Sequence, residues 1–408
     1  MRLAIVALLL ASVSVSAQQD AAVTRALDYI KVNHERHLDK QVQIAEVAAP
    51  TFHEGERAKL MADEFRRIGL RDVEIDAAGN ALGWRPGSSP DDVLVIAAHL
   101  DISFEPGVDV KVRKEGGRWF GPGLGDDSRG LVSLIAVAEA LNDASISTQK
   151  TLLFVANTGE EGLGDLKGVK YLFQQSPHRS RLKAFISIDG SSIDRVVTSG
   201  TGVKRYKVTV RGPGGHSFTN FGRVSALHAM GRIVSEIAAI EVPASPKTTY
   251  NVGRIGGGTA VNAIAEEVWA EVDLRSDGPA QLAQLETALK TAVETGMALE
   301  NRQRAASKSE VTALVEVIGN RPAGETPSTN PLVTAAINGY KAVGGNATPG
   351  SASTDSNLPM SLGIPAITVA GGGRGENAHS LNEWFEPANA WLGPQGVLLT
   401  ILNYDRQR

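Results

Sequence analysis

Four apolar runs punctuate the chain: VLVIAA before His99, TLLFVA before Asn157, AFISI before Asp189 and AITVA before Gly371. Each is short for a helix and rich in β-branched residues. Strands buried on both faces read this way, as runs rather than as alternation. The pattern predicts strands near 73–76, 93–98, 152–156 and 184–188, with helical periodicity over 21–48, 54–69, 129–142 and 165–176. Strands that alternate with helices argue for a mixed, mainly parallel sheet between helical layers, an α/β unit. The helix over 54–69 opens after Thr51 with Glu54 three places on, the spacing of a capping box.

The pattern changes near residue 200. YKVTVRG alternates strictly, and a helix at 223–239, strands at 249–255 and 267–274, a helix at 279–298 and a strand at 311–318 follow. Strand-helix-strand-strand-helix-strand is the order of a ferredoxin-like α+β unit with one exposed face. The polar stretch from Glu300 to Glu310 reads as a helix end and loop. After Pro322 the first pattern resumes, so the α+β unit is an insertion. The expected layout is an α/β domain over 18–200 and 322–408, with an inserted domain over 201–321.

A chain of 408 residues is too long for one ordinary core, consistent with two domains. Its net charge of −4, without a basic stripe, gives nucleic acid no footprint. The absence of cysteine removes disulfides, thiolate ligands and cysteine nucleophiles together. Residues 1–17 place Arg2 before an apolar run that ends in Val15, Ser16 and Ala17, a secretory signal with cleavage expected after Ala17. No other segment approaches the ~20 apolar residues of a membrane span, so the expected product is exported, to periplasm or medium, without stable membrane insertion.

The candidate chemistry sits where strands give way to loops. His99 ends VLVIAAH, Asp126 lies in GPGLGDDSRG, Glu160 and Glu161 in ANTGEEG, Asp189 in ISIDG and His379 in ENAHSLNEW. In an open α/β sheet such groups converge in the crevice beyond the carboxyl ends of the strands. Mixed imidazole and carboxylate donors suit divalent metals, zinc above all with cobalt or manganese as substitutes, and a paired site needs a bridging carboxylate. Asp101, two places from His99, is positioned to accept the second ring N–H of that histidine. Asp127 is placed to cap the following helix. Other motifs fail. His53 and Glu54 begin HExxH but meet Arg57, no glycine-rich segment carries a Walker lysine or a dinucleotide fingerprint, and no G-x-S-x-G elbow occurs. His34 and His37 precede any buried strand and are expected to be exposed.

As a set, His-x-Asp, Asp in a glycine-rich turn, Glu-Glu, Asp and a late His resemble the M20 family of co-catalytic zinc peptidases and deacylases, from about residue 25 to the C-terminus. The resemblance implies two metal ions, one on His99, Asp126 and Asp189 and one on Asp126, Glu161 and His379. It implies Glu160 as general base toward metal-activated water, and a cis Asp126–Asp127 peptide. The chain has Ser128 and Arg129 after the aspartate pair where the family commonly has lysine, so no lysine role transfers. His216 in RGPGGHS and Asn262 in GGTAVNAIAEE match insert residues that polarise the scissile carbonyl, in the same or a partner subunit. Arg275 in EVDLR matches an arginine that pairs with a substrate carboxylate, with an ordinary salt bridge as its alternative. The inserted domain of the family serves as lid and often as dimer surface, so a homodimer through it is among the expectations.

These readings combine into an exported dinuclear metallopeptidase of short peptides, with aminopeptidase or di/tripeptidase first because Asp at position 189 leans that way within the family. A carboxypeptidase or N-acyl-amino-acid deacylase on the same site is the nearest rival. A non-catalytic metal- or peptide-binding homologue is the rival of another class.

Overall fold

The computed structural model describes residues 20–304 and 307–407, so the expected secretory signal lies outside the described residues. The described residues divide into two compact units, one of 20–199 and 325–407 and one within 200–324.

The larger unit is built on a nine-stranded mixed sheet. Its order runs Arg71–Ile75, Ala81–Arg85, Lys150–Asn157, Ser89–His99, Leu182–Ile188, Ala366–Val369, Arg195–Gly200 and Gly324–Glu325, and Thr348–Ala352 also pairs with Arg195–Gly200. Ser89–His99 is parallel to both Lys150–Asn157 and Leu182–Ile188, and Leu182–Ile188 is parallel to Ala366–Val369. These are the strands that the apolar runs predict. Alternate residues of Ser89–His99 feed different cores: Leu94, Ile96 and Ala98 join Leu131 and Ile135, whereas Val93, Val95 and Ala97 join Val169, Leu172 and Phe185. Burial on both faces removes any polar position from residues 93–98 of the strand, hence the uninterrupted run.

Helix Ser128–Asp143 is buried along nearly its whole length, and Asp127 caps it by accepting from the Gly130 N–H at 2.9 Å. Helix Gly55–Ile68 departs from the capping box that its sequence predicts. Thr51 Oγ1 instead donates to Asp101 Oδ2 at 2.9 Å, and Glu54 Oε1 accepts from Gly159 N–H at 3.0 Å. Both side chains are drawn inward by buried groups that have no water to satisfy them. His34 and His37 are a second correction. Helix His34–Ala45 buries both rings, His34 edge-on to Trp391 and His37 with Nε2 3.0 Å from Glu139 Oε2.

The smaller unit has four antiparallel strands in the order Thr248–Gly257, Glu267–Ser276, Gly202–Arg211 and Thr312–Arg321, with helices Ala226–Ala238 and Pro279–Gln303 packed on one face. Chain order is the expected strand-helix-strand-strand-helix-strand, interrupted by the two-residue strands Gly215–His216 and Ala263–Ile264. Tyr206, Val208, Val210, Val268, Ala270 and Val272 meet the helices. On the other face Arg205 pairs with Asp273 at 3.0 Å and Arg211 with Glu267 at 2.7 Å, a surface finished with charge rather than with a second layer.

Candidate two-metal site

Strand ends assemble the cluster. His99 is the last residue of its strand and lies in register with Asn157, after which the chain turns to present Glu160 and Glu161. Asp189 follows Leu182–Ile188, and Asp126 sits in the turn that leads to helix Ser128–Asp143. His379 comes from a hairpin whose strands, Arg374–Glu376 and Trp384–Glu386, pair antiparallel. His99 Nε2 lies 2.9 Å from Asp126 Oδ1, while His379 Nε2 lies 3.1 Å from Asp126 Oδ2 and 2.7 Å from Glu161 Oε1. Donor atoms of His99, Asp126 and Asp189 fall within 4.8 Å of one another, and so do those of Asp126, Glu161 and His379. Asp126 thus turns one oxygen toward each group, as a bridging ligand would. Glu160 is buried, and its carboxylate shares a further group of that span with His99 and Glu161.

The electrostatics say what this cluster lacks. Burial, then the neighbouring Asp126, pushes the Asp189 carboxyl up to about 6, and burial also raises Glu161. Burial opposes the charged form of Asp126 too, but contacts with His379 and His99 more than offset it and hold that carboxyl below its usual range. Asp126, then Glu161, pushes the His379 ring up to about 11. Carboxyls forced toward neutrality beside imidazoles drawn toward their cations make a site short of positive charge. Two divalent ions would supply that charge, and the nitrogen and oxygen donors fit zinc, cobalt or manganese.

Around the donors stands a set of carboxylates that hold backbone instead. Asp101 was expected to orient His99 through its side chain, yet His99 Nδ1 lies 3.0 Å from the Asp101 carbonyl oxygen and 3.6 Å from its carboxylate. The carboxylate is committed elsewhere: Oδ1 and Oδ2 accept from the N–H groups of Glu160 and Glu161, both at 2.9 Å. Asp101 therefore fixes the turn that carries Glu160 and Glu161. Asp127 accepts from His99 N–H at 3.2 Å as well as capping its helix, and the Asp126–Asp127 peptide is cis.

Three further residues that the sequence reading did not assign to the site surround it. Glu383 accepts from Gly123 and Gly125 N–H at 2.8 Å each and from Asp126 N–H at 3.2 Å, tying the Asp126 turn to the hairpin of His379. Its place four residues after His379 in ENAHSLNEW is the only signal that could have found it. Arg57, fully buried, donates to the carbonyls of Val47, at 2.7 Å, and Leu100, at 2.8 Å, and so braces the chain between His99 and Asp101. Asp355 accepts from Asn157 Nδ2 at 2.7 Å; burial, then Glu160, pushes its carboxyl well above the usual range. Arg129, one residue beyond the Ser128 that stands where the family commonly has lysine, is buried and donates to the Gly371 and Ala390 carbonyls, each at 2.6 Å.

The insert residues form two groups within the smaller unit. A short ladder sets His216 opposite Ala263, with Ser217 N–H donating to the Asn262 carbonyl at 2.9 Å, so His216 and Asn262 share one exposed corner with Phe218 and Val261. His216 Nδ1 accepts from Phe218 N–H at 3.2 Å, which places the proton of a neutral ring on Nε2. Arg275 lies in register with Val203 toward the far end of Glu267–Ser276, eight residues or about 26 Å from the corner end. Its Nε donates to Asp273 Oδ2 at 2.6 Å, the ordinary salt bridge weighed as its alternative.

Comparison with known proteins agrees with this geometry. The sequence pattern of peptidase family M20/M25/M40 matches residues 95–402. The uncharacterised protein YqjE of Bacillus subtilis is 26% identical over 367 residues, which span 86% of this chain and 94% of YqjE. The crystal structure of aminopeptidase PepT from Bacillus cereus aligns with a TM-score of 0.72 at 21% identity, over 92% of this chain and 99% of that one. A tripeptidase from Staphylococcus aureus aligns at 0.74 and 22% identity with the same coverage. YXEP of Bacillus subtilis, a dinuclear metal-binding peptidase of family M20, aligns at 0.65 and 16% identity over 91% of this chain and 98% of its own. At such identities the structures speak for the fold, and the sequence pattern speaks for the family. Its match over most of the chain, on a fold whose strand ends and loops gather the five donors, makes this chain a member of peptidase family M20/M25/M40 and a hydrolase acting on peptide bonds.

Proposed function

We propose that the chain is an exported two-metal peptidase of short peptides, an aminopeptidase or di/tripeptidase, with Glu160 as its general base. The observation that carries this reading is the placement of a buried Glu160 beside both donor groups, on a turn that Asp101 holds by two N–H contacts. Divalent ions held by His99, Asp126 and Asp189, and by Asp126, Glu161 and His379, would polarise a scissile carbonyl and acidify water. Glu160 takes the proton of the attacking water and returns it to the departing amine. Asp101 keeps Glu160 and Glu161 in one rigid turn, so base and ligand do not drift apart during that transfer. The roles of His216 and Asn262 at the scissile carbonyl and of Arg275 at a substrate carboxylate belong to this proposal and rest on the resemblance. Export rests on residues 1–17.

The test is hydrolysis of free di- and tripeptides beside their N-acetylated and C-amidated forms, with and without chelator. Chelator-sensitive cleavage that requires the free amino end is the expected result. Cleavage that tolerates acetylation but requires the carboxylate would replace it with the carboxypeptidase or deacylase reading. No cleavage of any member would favour a binding homologue.

A further inference from the structure

A cavity of about 400 Å³ opens beside the donor cluster of the larger unit, with Asp126, Asp189, Ser191, Ser192, Arg195 and Trp384 in its walls. Arg195 begins strand Arg195–Gly200, and its stem runs over Gly350 of the paired strand Thr348–Ala352, where an added Cβ would stand 3.6 Å from its Cγ. Its guanidinium is exposed and makes no hydrogen bond or ion pair among the described residues. The carboxylates nearby are already engaged. Asp194 accepts from Asn346 N–H at 2.7 Å, Glu376 pairs with Arg374 at 3.1 Å, and Glu383 holds the Asp126 turn. Asp189 feels the charge of Arg195, but it belongs to the donor cluster. Once divalent ions occupy that cluster, Arg195 is left as an uncompensated cation in the wall.

We propose that this cavity is a carboxylate subsite and that Arg195 reads it, favouring peptides that carry an anionic group next to the scissile bond. The proposal rests on the peptidase reading above and narrows its substrate class. A guanidinium presents paired N–H donors that match a carboxylate fork, which an ammonium cannot do. Because the cavity begins at Asp126 and Asp189, an amide held at the donor cluster directs its neighbouring residue into it. Two sources share this chemistry, the C-terminal carboxylate of a short peptide and an acidic side chain.

Two substrate pairs separate them: a dipeptide with and without its C-terminal amide, and a C-amidated dipeptide with Glu or Gln as second residue. The readout is the ratio of kcat/KM within each pair, for the zinc-loaded wild type, Arg195→Ala and Arg195→Lys. Arg195→Ala is expected to lower the ratio about 10- to 100-fold through KM, the equivalent of one charge-assisted hydrogen-bond pair, and Arg195→Lys to restore part of it. A fall in the first pair alone identifies the terminal carboxylate, and in the second alone the side chain. Ratios that stay put in both pairs, even where all rates drop together, overturn the subsite. Calorimetric titration with succinate keeps the test independent of turnover. If the wild type cleaves nothing, the peptidase reading fails, while succinate binding weakened by Arg195→Ala upholds the subsite and unchanged binding overturns it.

Discussion

One helix, Ser128–Asp143, borders two buried carboxylate clusters of opposite character. Toward its C-terminal end, Glu139 meets Arg36 and Arg67 at 2.6 Å each and His37 at 3.0 Å. Burial penalises that carboxylate, and His37, Arg36 and Arg67 overcome the penalty, so Glu139 stays charged well below the usual range. At the other end Asp126 and Glu161 have His99 and His379 as direct partners, Asp189 feels the charges of His99 and the exposed Arg195, and Asp189 is still driven up to about 6. The protein completes the first cluster with its own cations and leaves the second in deficit. Buried carboxylates of the same chemistry are structural where the sequence provides arginines, and form a site for imported cations where it does not.

The largest effect that could break this contrast is on turnover. Glu160→Gln should lower kcat by about 10²- to 10⁴-fold, the usual worth of a general base, while zinc content stays at the wild-type level. Asp189→Asn should do the reverse at the level of binding, with zinc content reduced in equilibrium dialysis. Near-normal turnover in Glu160→Gln, or loss of its zinc, would remove Glu160 from the role of base. A smaller effect is expected where a carboxylate acts through backbone. Glu383→Gln presents an amide nitrogen to at least one of the N–H donors of the Asp126 turn, and should weaken zinc binding about 10- to 100-fold. Unaltered zinc affinity would make Glu383 a local structural residue and no part of the site.

Three of the donors were legible because chain geometry announces them: His99, Glu161 and Asp189 each follow an apolar run that reads as a buried parallel strand, and such strands end at one edge of the sheet, whereas Asp126 in its glycine-rich turn and His379 on its hairpin were found through the pattern of the whole set. What surrounds the donors was not legible. Glu383 reaches Gly125 across 258 residues, and nothing local to either segment encodes that meeting. Asp101 was placed correctly beside His99, but its carboxylate serves the Glu160 turn, a partner that only the register of Ser89–His99 with Lys150–Asn157 brings near. His34 and His37 were misread because helix His34–Ala45 buries them against another helix and Trp391, so the absence of a neighbouring strand carried no information about exposure. Thr51 and Glu54 have the spacing of a cap, yet buried acceptors and donors outbid the helix end for them.

The self-neutralised cluster gives the smallest effect and a sign that can be checked. Glu139 has a folded-state pKa below its unfolded value of about 4.3, so its contribution is complete above that value and is lost as the pH falls. Burial lowers the His37 ring, so its protonation as the pH falls below about 6.5 also favours the unfolded chain. Arg36 and Arg67 are about half exposed, and solvent screens part of their attraction. Glu139→Gln should therefore cost only about 1–3 kcal/mol at neutral pH, less than breaking a fully buried pair. The cost should shrink by about pH 3.5, where the wild-type carboxylate begins to lose its charge in the unfolded chain's favour. Denaturant midpoints of both proteins at the two pH values, measured in chelator so that the donor cluster stays empty, give the comparison. A gap that persists unchanged at the lower pH would mean that Glu139 acts through packing and neutral hydrogen bonds, and that the two ends of the helix differ less in charge than in shape.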